Sequence, residues 1–301
     1  ATLVTDELAE HFGHYKFLLG VSLDGPREQH DHYRRDQHGR GSFADAWRGI
    51  DSLRRHNVSF NILTLVSKNN VGHAVTTYRY LCDNGFKFHQ YIPCVEFGPD
   101  GNPLPFTISG EEWGRFLRDL FDAWIAHDTR RISIRLFDAI LARLVDGQPI
   151  ICHMGESCCQ YFVVEYNGDV YPCDFFVTPD LRLGNVMSDS WETLFESPIY
   201  RAFGGRKNQW NAQCADCEWV ALCAGDCLKH RLHGRDSTTL GWLCAGWKLF
   251  FRHTMKDFRR LAALIVEERA QKRDATPDMP QVGPGRNDPC PCGSGLKYKK
   301  C

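Results

Sequence analysis

The sequence carries no surplus of charge of either sign: 36 Lys and Arg stand against 37 Asp and Glu, a net charge of −1. No global field therefore steers it to nucleic acid or to an anionic membrane surface. Long apolar runs are missing as well, and none approaches the roughly 20 residues that a membrane-spanning helix needs. No signal-peptide pattern opens the chain, which begins with Ala and not Met. What is left is an ordinary globular composition, 43% apolar and 24% charged over 301 residues. The expectation is a cytoplasmic protein of one large domain or two ordinary ones, with no nucleic-acid or membrane partner.

Cysteine is what the chain has in excess. Cys82 and Cys94 stand alone, and the other twelve fall into three groups: 152, 158, 159 and 173; 214, 217, 223, 227 and 244; 290, 292 and 301. A disulfide framework is the first alternative, but such frameworks staple short chains that cannot build a core. This chain has 8 Trp, 19 Phe and long helical patterns. Close Cys-x2-Cys spacing also suits metal ligation better than disulfide pairing.

The first 140 or so residues alternate two periodicities. "KFLLGVSLD" (16–24), "VSFNILTLV" (58–66), "FKFHQYIPCVEF" (86–97) and "RISIRLFD" (131–138) read as buried strands. Between them, "GSFADAWRGIDSLRRHN" repeats apolar residues at spacings of three and four, "HAVTTYRYLCDNG" ends in a helix-stopping Gly, and "SGEEWGRFLRDLFDAWIAH" opens with Ser109 and Glu112 in capping-box spacing. Strand–helix alternation at this rhythm predicts an α/β fold with a parallel sheet and right-handed crossovers. Functional groups in such sheets gather at the strands' C-terminal ends, where Ser22 with Asp24, and Cys94 with Glu96, fall.

After residue 150 the pattern changes. Two short strands flank Asn167-Gly168, a hairpin-turn signal. A loop-rich, cysteine-dense stretch runs to Cys244, and "GWKLFFRHTMKDFRRLAALIVEERA" closes it as a long helix. The expected organisation is residues 1–148, 149–268, a polar linker at 269–284, and a small module at 285–301. In the middle group, Cys214-x2-Cys217-x5-Cys223-x3-Cys227 and Cys244 make five thiols, one more than a single zinc or iron–sulfur site takes. Cys152, Cys158 and Cys173 raise the total to eight, enough for two four-thiolate sites if one thiol crosses over. Cys159 is left as an alternative ligand. Thiolate count alone does not separate zinc from iron–sulfur.

The spacing Cys158-x9-Gly168-x4-Cys173, then Cys214-x2-Cys217-x5-Cys223-x3-Cys227 and Cys244, resembles the SPASM domain of radical SAM enzymes. "VSLDGPREQHDHYR", "FNILTLV", "FKFHQYIPCVE", "SIRLFD", "CQYFVVEYNGDVYPCDFFV" and "RLGNV" extend the resemblance to anaerobic sulfatase-maturating enzymes, from about Leu18 to Phe251. It implies a partial (βα)6 radical SAM barrel followed by a SPASM domain with two auxiliary [4Fe-4S] clusters. One would be held by Cys152, Cys158, Cys173 and Cys227, the other by Cys214, Cys217, Cys223 and Cys244. Ser22, Arg34 and Val95 would contact S-adenosylmethionine, with Arg34 on its carboxylate and Val95 against the adenine.

The chain departs from the family in one respect. The Cys-x3-Cys-x2-Cys motif that holds the third, cofactor-cleaving [4Fe-4S] cluster does not occur in it. The expectation is a chain that starts after that motif, with roughly 100 residues preceding it in the intact protein, and that does not perform the radical step alone. Its C-terminal Cys290-x-Cys292-x8-Cys301, with Lys297, Lys299 and Lys300, resembles a SEC-C motif lacking its fourth ligand, which implies a zinc site.

The resemblance further implies the reaction: oxidation of a Cys or Ser in a sulfatase polypeptide to Cα-formylglycine, with a flavodoxin or ferredoxin as electron donor. A base must take the thiol or hydroxyl proton, and the aspartate after the third cysteine of the first cluster, Asp174, would be that base. Lying among Tyr171, Phe175 and Phe176, it is expected to be partly desolvated, with a raised pKa suited to a base near neutral pH. Cys173 and Asp174, as adjacent strand residues, are expected on opposite faces. Two other readings remain open at this point: a SPASM-type maturase of another peptide, and a non-catalytic metal-binding adaptor.

Overall fold

The computed structural model describes residues 1–234 and 236–275, together with Cys292, Ser294, Leu296, Lys297 and Lys300. They belong to two compact units, Ala1–Arg260 and Leu261–Cys301. Cys290 and Cys301 lie outside the described residues, as does Lys299.

Four parallel strands form the sheet of the first unit in the order β1 (Leu18–Ser22), β2 (Ser59–Val66), β3 (Phe88–Pro93), β4 (Ser133–Ile134). Helix α1 (Asp6–His14) precedes it. Helices α2 (Arg27–Tyr33) and α3 (Phe43–Arg55) connect β1 to β2, α4 (Ala74–Asp83) connects β2 to β3, and α5 (Gly110–His127) connects β3 to β4. This is the α/β arrangement that the alternating periodicities require. Central β2 buries Ile62, Thr64 and Val66, and the Thr64 hydroxyl donates to the Leu23 carbonyl at 2.9 Å.

The fourth strand is shorter than expected. Only Ser133 and Ile134 pair with β3, and from Arg135 the chain is helical as α6 (Arg135–Asp146). Phe137 and Ile140, three residues apart, are fully buried on that helix. The apolar spacing of "RLFDAI" belongs to the helix that follows and not to the strand.

Helix α5 opens with the full capping box. The Glu112 N–H donates to Ser109 Oγ at 3.2 Å, and the Ser109 N–H donates to the Glu112 carboxylate at 2.6 Å. Its stripe of Trp113, Phe116, Leu117, Leu120, Phe121 and Trp124 is buried.

The cysteine-rich region is built on a small antiparallel sheet of β5 (Val163–Val164), β6 (Asp169–Tyr171) and β7 (Gly184–Asn185). Between β5 and β6 the Gly168 N–H donates to the Glu165 carbonyl at 2.8 Å, and Gly168 takes a left-handed φ of 86°. The hairpin expected at Asn167-Gly168 therefore closes through a turn followed by a left-handed glycine. Short helices α7 (Trp191–Phe195), α8 (Pro198–Gly205) and α9 (Val220–Cys223) lead to the long α10 (Cys244–Ala275). Helix α10 continues through residues 269–275, where a linker was expected, because "RAQKRDA" holds good helix formers at every position but Asp274 and has no Pro or Gly. Among the described residues, no helix is long and apolar enough to cross a membrane.

Within the first unit α10 packs on α5 at glycines. A Cβ on Gly114 would stand 2.8 Å from Gly246 Cα, and a Cβ on Gly246 would stand 2.0 Å from the Gly110 carbonyl oxygen. This close approach fixes the start of α10, and with it Cys244, against the helix that covers the sheet.

Candidate functional site

The parallel register lines up the C-terminal ends of three strands. Ser22 is level with Leu63, and Val66 with Pro93. Past the strands, the Leu23 N–H donates to the Leu63 carbonyl and the Cys94 N–H to the Val66 carbonyl. Ser22, Asp24, Cys94 and Val95 therefore share one edge of the sheet, with Val95 buried. Arg34, just past α2, donates Nε and Nη2 to the buried Asp24 carboxylate at 2.6 and 3.1 Å. Asp24 also accepts from the Leu65 N–H at 2.9 Å. The expectation for Arg34 was a cofactor carboxylate; the structure turns two of its three guanidinium nitrogens to Asp24, leaving Nη1 outside that pair.

Cys214, Cys217, Cys223 and Cys244 line a single cavity. These are the four residues expected at the second site. Local structure places each of them: a 3-10 turn ends at Cys214, α9 ends at Cys223 and α10 begins at Cys244. The indole N–H groups of Trp219 and Trp247, which line the same cavity, are buried without a hydrogen-bond partner. Orphaned donors and four thiols around one space fit an occupant that carries acceptor sulfurs and takes thiolate ligands. Among the described residues, no three His, Cys, Asp or Glu side chains are gathered tightly enough for a single metal ion.

The first set is assembled from more distant parts of the chain. Cys158 and Cys173 pack in one apolar cluster with Leu181, Phe203 and Leu228. Cys152 and Cys227 line the neighbouring cavity. Cys158 lies within electrostatic reach of Cys152 and Cys173, and Cys227 within reach of Cys152 and Cys158. Burial pushes the Cys158 thiol up to about 12 and the Cys173 thiol up to about 11, and raises Cys152 and Cys227 above the ordinary thiol value. A metal ligand must be a thiolate, so iron binding here has to drive those protons off. The second set, four thiols around one space, suits a four-thiolate cluster; the first is brought together in two pairs, Cys158 with Cys173 and Cys152 with Cys227. Cys159 is held elsewhere: its Sγ donates to the Tyr200 carbonyl at 3.2 Å and fills the space beside Gly204.

Asp174 is placed differently from expectation in two ways. It is exposed, so the desolvation inferred from its aromatic neighbours is absent, and Phe175 is itself 44% exposed. It also lies past the end of β6, where strand alternation no longer applies, and shares a side with Cys173: the Cys173 thiol donates to Asp174 Oδ1 at 3.4 Å. The Tyr161 hydroxyl donates to the same oxygen at 3.3 Å and stands 3.6 Å from Cys173 Sγ. Asp174, Tyr161, Cys152 and Cys227 wall a cavity of about 450 Å3 that reaches Tyr91 and Pro93 of β3. Ser22, Arg34 and Val95 do not line it, although Pro93 is only two residues from Val95.

Sequence reasoning missed several residues of this site. Tyr161 lies inside "CQYFVVEYNGDVYPCDFFV", where only Gly168, the cysteines and the aspartate carry a spacing signal. Lys229 pairs with Glu96 at 2.7 Å, tying the cysteine-rich region to the sheet edge, and its ammonium lies 5.8 Å from the Phe175 ring centroid. Asp226, buried, holds His230 Nδ1 at 3.0 Å. Lys207 and Arg231 are buried and bond carbonyls of the loop between Cys223 and Cys227. No spacing rule marks Lys207 and Arg231, because their partners are backbone carbonyls, several of them in distant segments.

Comparison with known proteins gives the chain's relatives. The model of the SPASM iron–sulfur cluster-binding domain matches residues 152–218, and that of the SEC-C motif matches residues 286–301. The serine-type anaerobic sulfatase-maturating enzyme of Bacteroides thetaiotaomicron is 34% identical over 270 residues, 84% of this chain and 65% of that protein. The cysteine-type enzyme of Clostridium novyi is 33% identical over 271 residues, 88% of this chain and 72% of that protein. A solved structure described as native anSMEcpe with bound AdoMet superposes with a TM-score of 0.80 at 33% identity, covering 88% of this chain and 74% of that one. The chain thus spans about two thirds of the length of the curated relatives it matches.

Proposed function

Since the chain belongs to the family of anaerobic sulfatase-maturating enzymes, we propose that the intact protein oxidises a Cys or Ser of a sulfatase polypeptide to Cα-formylglycine in the cytoplasm. The observation that carries this reading is the shared cavity. Asp174, Tyr161 and two thiols of the first set face one space that opens onto the C-terminal end of β3. A peptide side chain entering there meets an ionisable carboxylate and, in the same wall, ligands for an electron acceptor.

In this reading Asp174 takes the thiol or hydroxyl proton of the target residue, and Tyr161 orients the carboxylate through its hydroxyl. An exposed carboxylate also has room to exchange that proton with water. Cys152, Cys158, Cys173 and Cys227 would hold one auxiliary [4Fe-4S] cluster, and Cys214, Cys217, Cys223 and Cys244 the other. Ser22, Arg34 and Val95 would meet S-adenosylmethionine at the sheet edge, Arg34 through Nη1. When bound, S-adenosylmethionine supplies the hydrogen-abstracting radical and the clusters supply an acceptor for the second electron. A flavodoxin or ferredoxin would serve as donor, and zinc would sit at the C-terminal motif.

The test is anaerobic incubation of the intact protein with two sulfatase-derived peptides, one with Cys and one with Ser at the target position, read by mass spectrometry. Aldehyde on either peptide is the expected result. No aldehyde on both, from a protein that carries iron and sulfide, rejects the assignment in favour of another peptide substrate. Bound zinc in place of iron at the residue 152–244 sites rejects it in favour of an adaptor.

A further inference from the structure

Lys207 and Arg231 have no part in the reaction as described, yet both are buried among its ligands. Lys207 has no solvent exposure, and its ammonium donates to the Ala224 carbonyl. Arg231, 3% exposed, spreads its guanidinium over the carbonyls of Ala224, Gly225, Asp226, Lys207, Gln209 and Ser237. Together they clamp Ala224-Gly225-Asp226, three consecutive residues with left-handed φ of 46°, 70° and 66°. That conformation is unfavourable for the two non-glycine residues, by about 1–2 kcal/mol each, so the loop needs the clamp. The loop is also the shortest link between the two thiol sets, running from Cys223 of one to Cys227 of the other.

Through that loop both cations sit between the two sets, bonded to carbonyls of the residues that link Cys223 to Cys227. Lys207 is within electrostatic reach of Cys152, Cys158 and Cys223, and Arg231 of Cys158 and Cys214. The carboxylate in their midst, Asp226, is shared with His230. Burial, with Arg231 beside it, disfavours the charge on Lys207. Two buried cations against one carboxylate leave positive charge without compensation, which is costly in a protein interior. Iron–sulfur clusters held by four thiolates carry net negative charge, and their reduction potentials respond to nearby charge and hydrogen bonding.

We propose that Lys207 and Arg231 are positioning residues that hold the loop between the two auxiliary clusters and set the reduction potentials of both by the positive charge they place between them. Positive charge there stabilises the more negative, reduced form of each cluster and makes both better acceptors for the electron leaving the substrate. This rests on the cluster assignment proposed above.

The test uses the full chain reconstituted anaerobically with iron and sulfide, and reads iron content and the two reduction potentials without any turnover. Lys207→Met, which keeps length and removes charge, is expected to retain its iron and to shift both potentials to more negative values. Full iron with unchanged potentials overturns the proposal. If Lys207→Met loses iron, Lys207→Arg decides. Iron and near-wild-type potentials restored by the retained charge support the proposal; iron lost in both variants makes Lys207 a shape-filling residue and overturns it. A wild-type chain that takes up no iron sinks the cluster assignment itself, a result distinct from failure of this inference alone.

Discussion

The thiol of Cys173 stands 3.4 Å from Oδ1 of Asp174, its neighbour in the chain. A cluster ligand and the proposed base are thus side by side, with the Tyr161 hydroxyl bridging them. Removing the base should leave the ligand. Asp174→Asn in the intact protein is expected to lower formylglycine formation by roughly 10²–10⁴-fold, the usual range for a lost general base, with iron content unchanged. Full formylglycine formation by the variant would reject Asp174 as the base.

Cys158 and Cys159 are adjacent in sequence but hold different positions. Cys158 packs with Cys173, whereas Cys159 bonds the Tyr200 carbonyl at the back of Gly204. Cys158→Ser is expected to lose the iron of one cluster, and Cys159→Ser to retain all of it. Iron and sulfide analysis after anaerobic reconstitution checks this; equal loss in both variants would show that Cys159 serves as a ligand.

The parallel sheet was legible because strand and helix periodicities alternate without interruption through α5, and the thiol sets were legible because cysteine spacing is local and specific. What sequence could not show is set by tertiary placement. Asp174 has Tyr171, Phe175 and Phe176 around it in sequence, which argued for burial, but the chain turns it outward past β6. Arg34 looked available for a carboxylate ligand, and its partner Asp24, ten residues away on a different element, was not predictable from spacing. The carbonyl clamp of Arg231 draws on residues up to 24 positions distant, and carbonyls leave no trace in residue type.

Gly246 is a second position where packing controls the site from a distance. Any Cβ there meets the Gly110 carbonyl, and both partners are backbone, so neither can swing aside. Gly246→Ala is expected to destabilise the protein by about 1–3 kcal/mol or somewhat more, as overpacking of a close helix contact does. Because Cys244 lies two residues away on the same helix, the second thiol set should also load less iron. Thermal unfolding and iron content of the variant measure the two effects, and an Ala variant as stable as the parent would contradict the close approach.

His89 gives the stability a pH dependence of known sign. It is 2% exposed on β3, with its Nε2 3.1 Å from the Phe86 carbonyl and the Tyr91 hydroxyl 3.3 Å from its Nδ1. Burial lowers its pKa to about 4, against a weaker opposing pull from that carbonyl and from Asp128. In the unfolded chain a histidine titrates near 6.5. Between these values the unfolded state binds the extra proton, so the contribution is fully present above about pH 6.5 and is lost as pH falls towards 4. From pH 7 to pH 5 the loss should approach about 2 kcal/mol, at 1.36 kcal/mol per unit. His89→Gln keeps a donor for the Phe86 carbonyl and cannot take up that proton. It is therefore expected to be less stable than wild type at pH 7 and to close most of that gap by pH 5. Denaturant unfolding of both proteins across this range is the measurement, and parallel pH profiles would mean that His89 is already charged in the folded state.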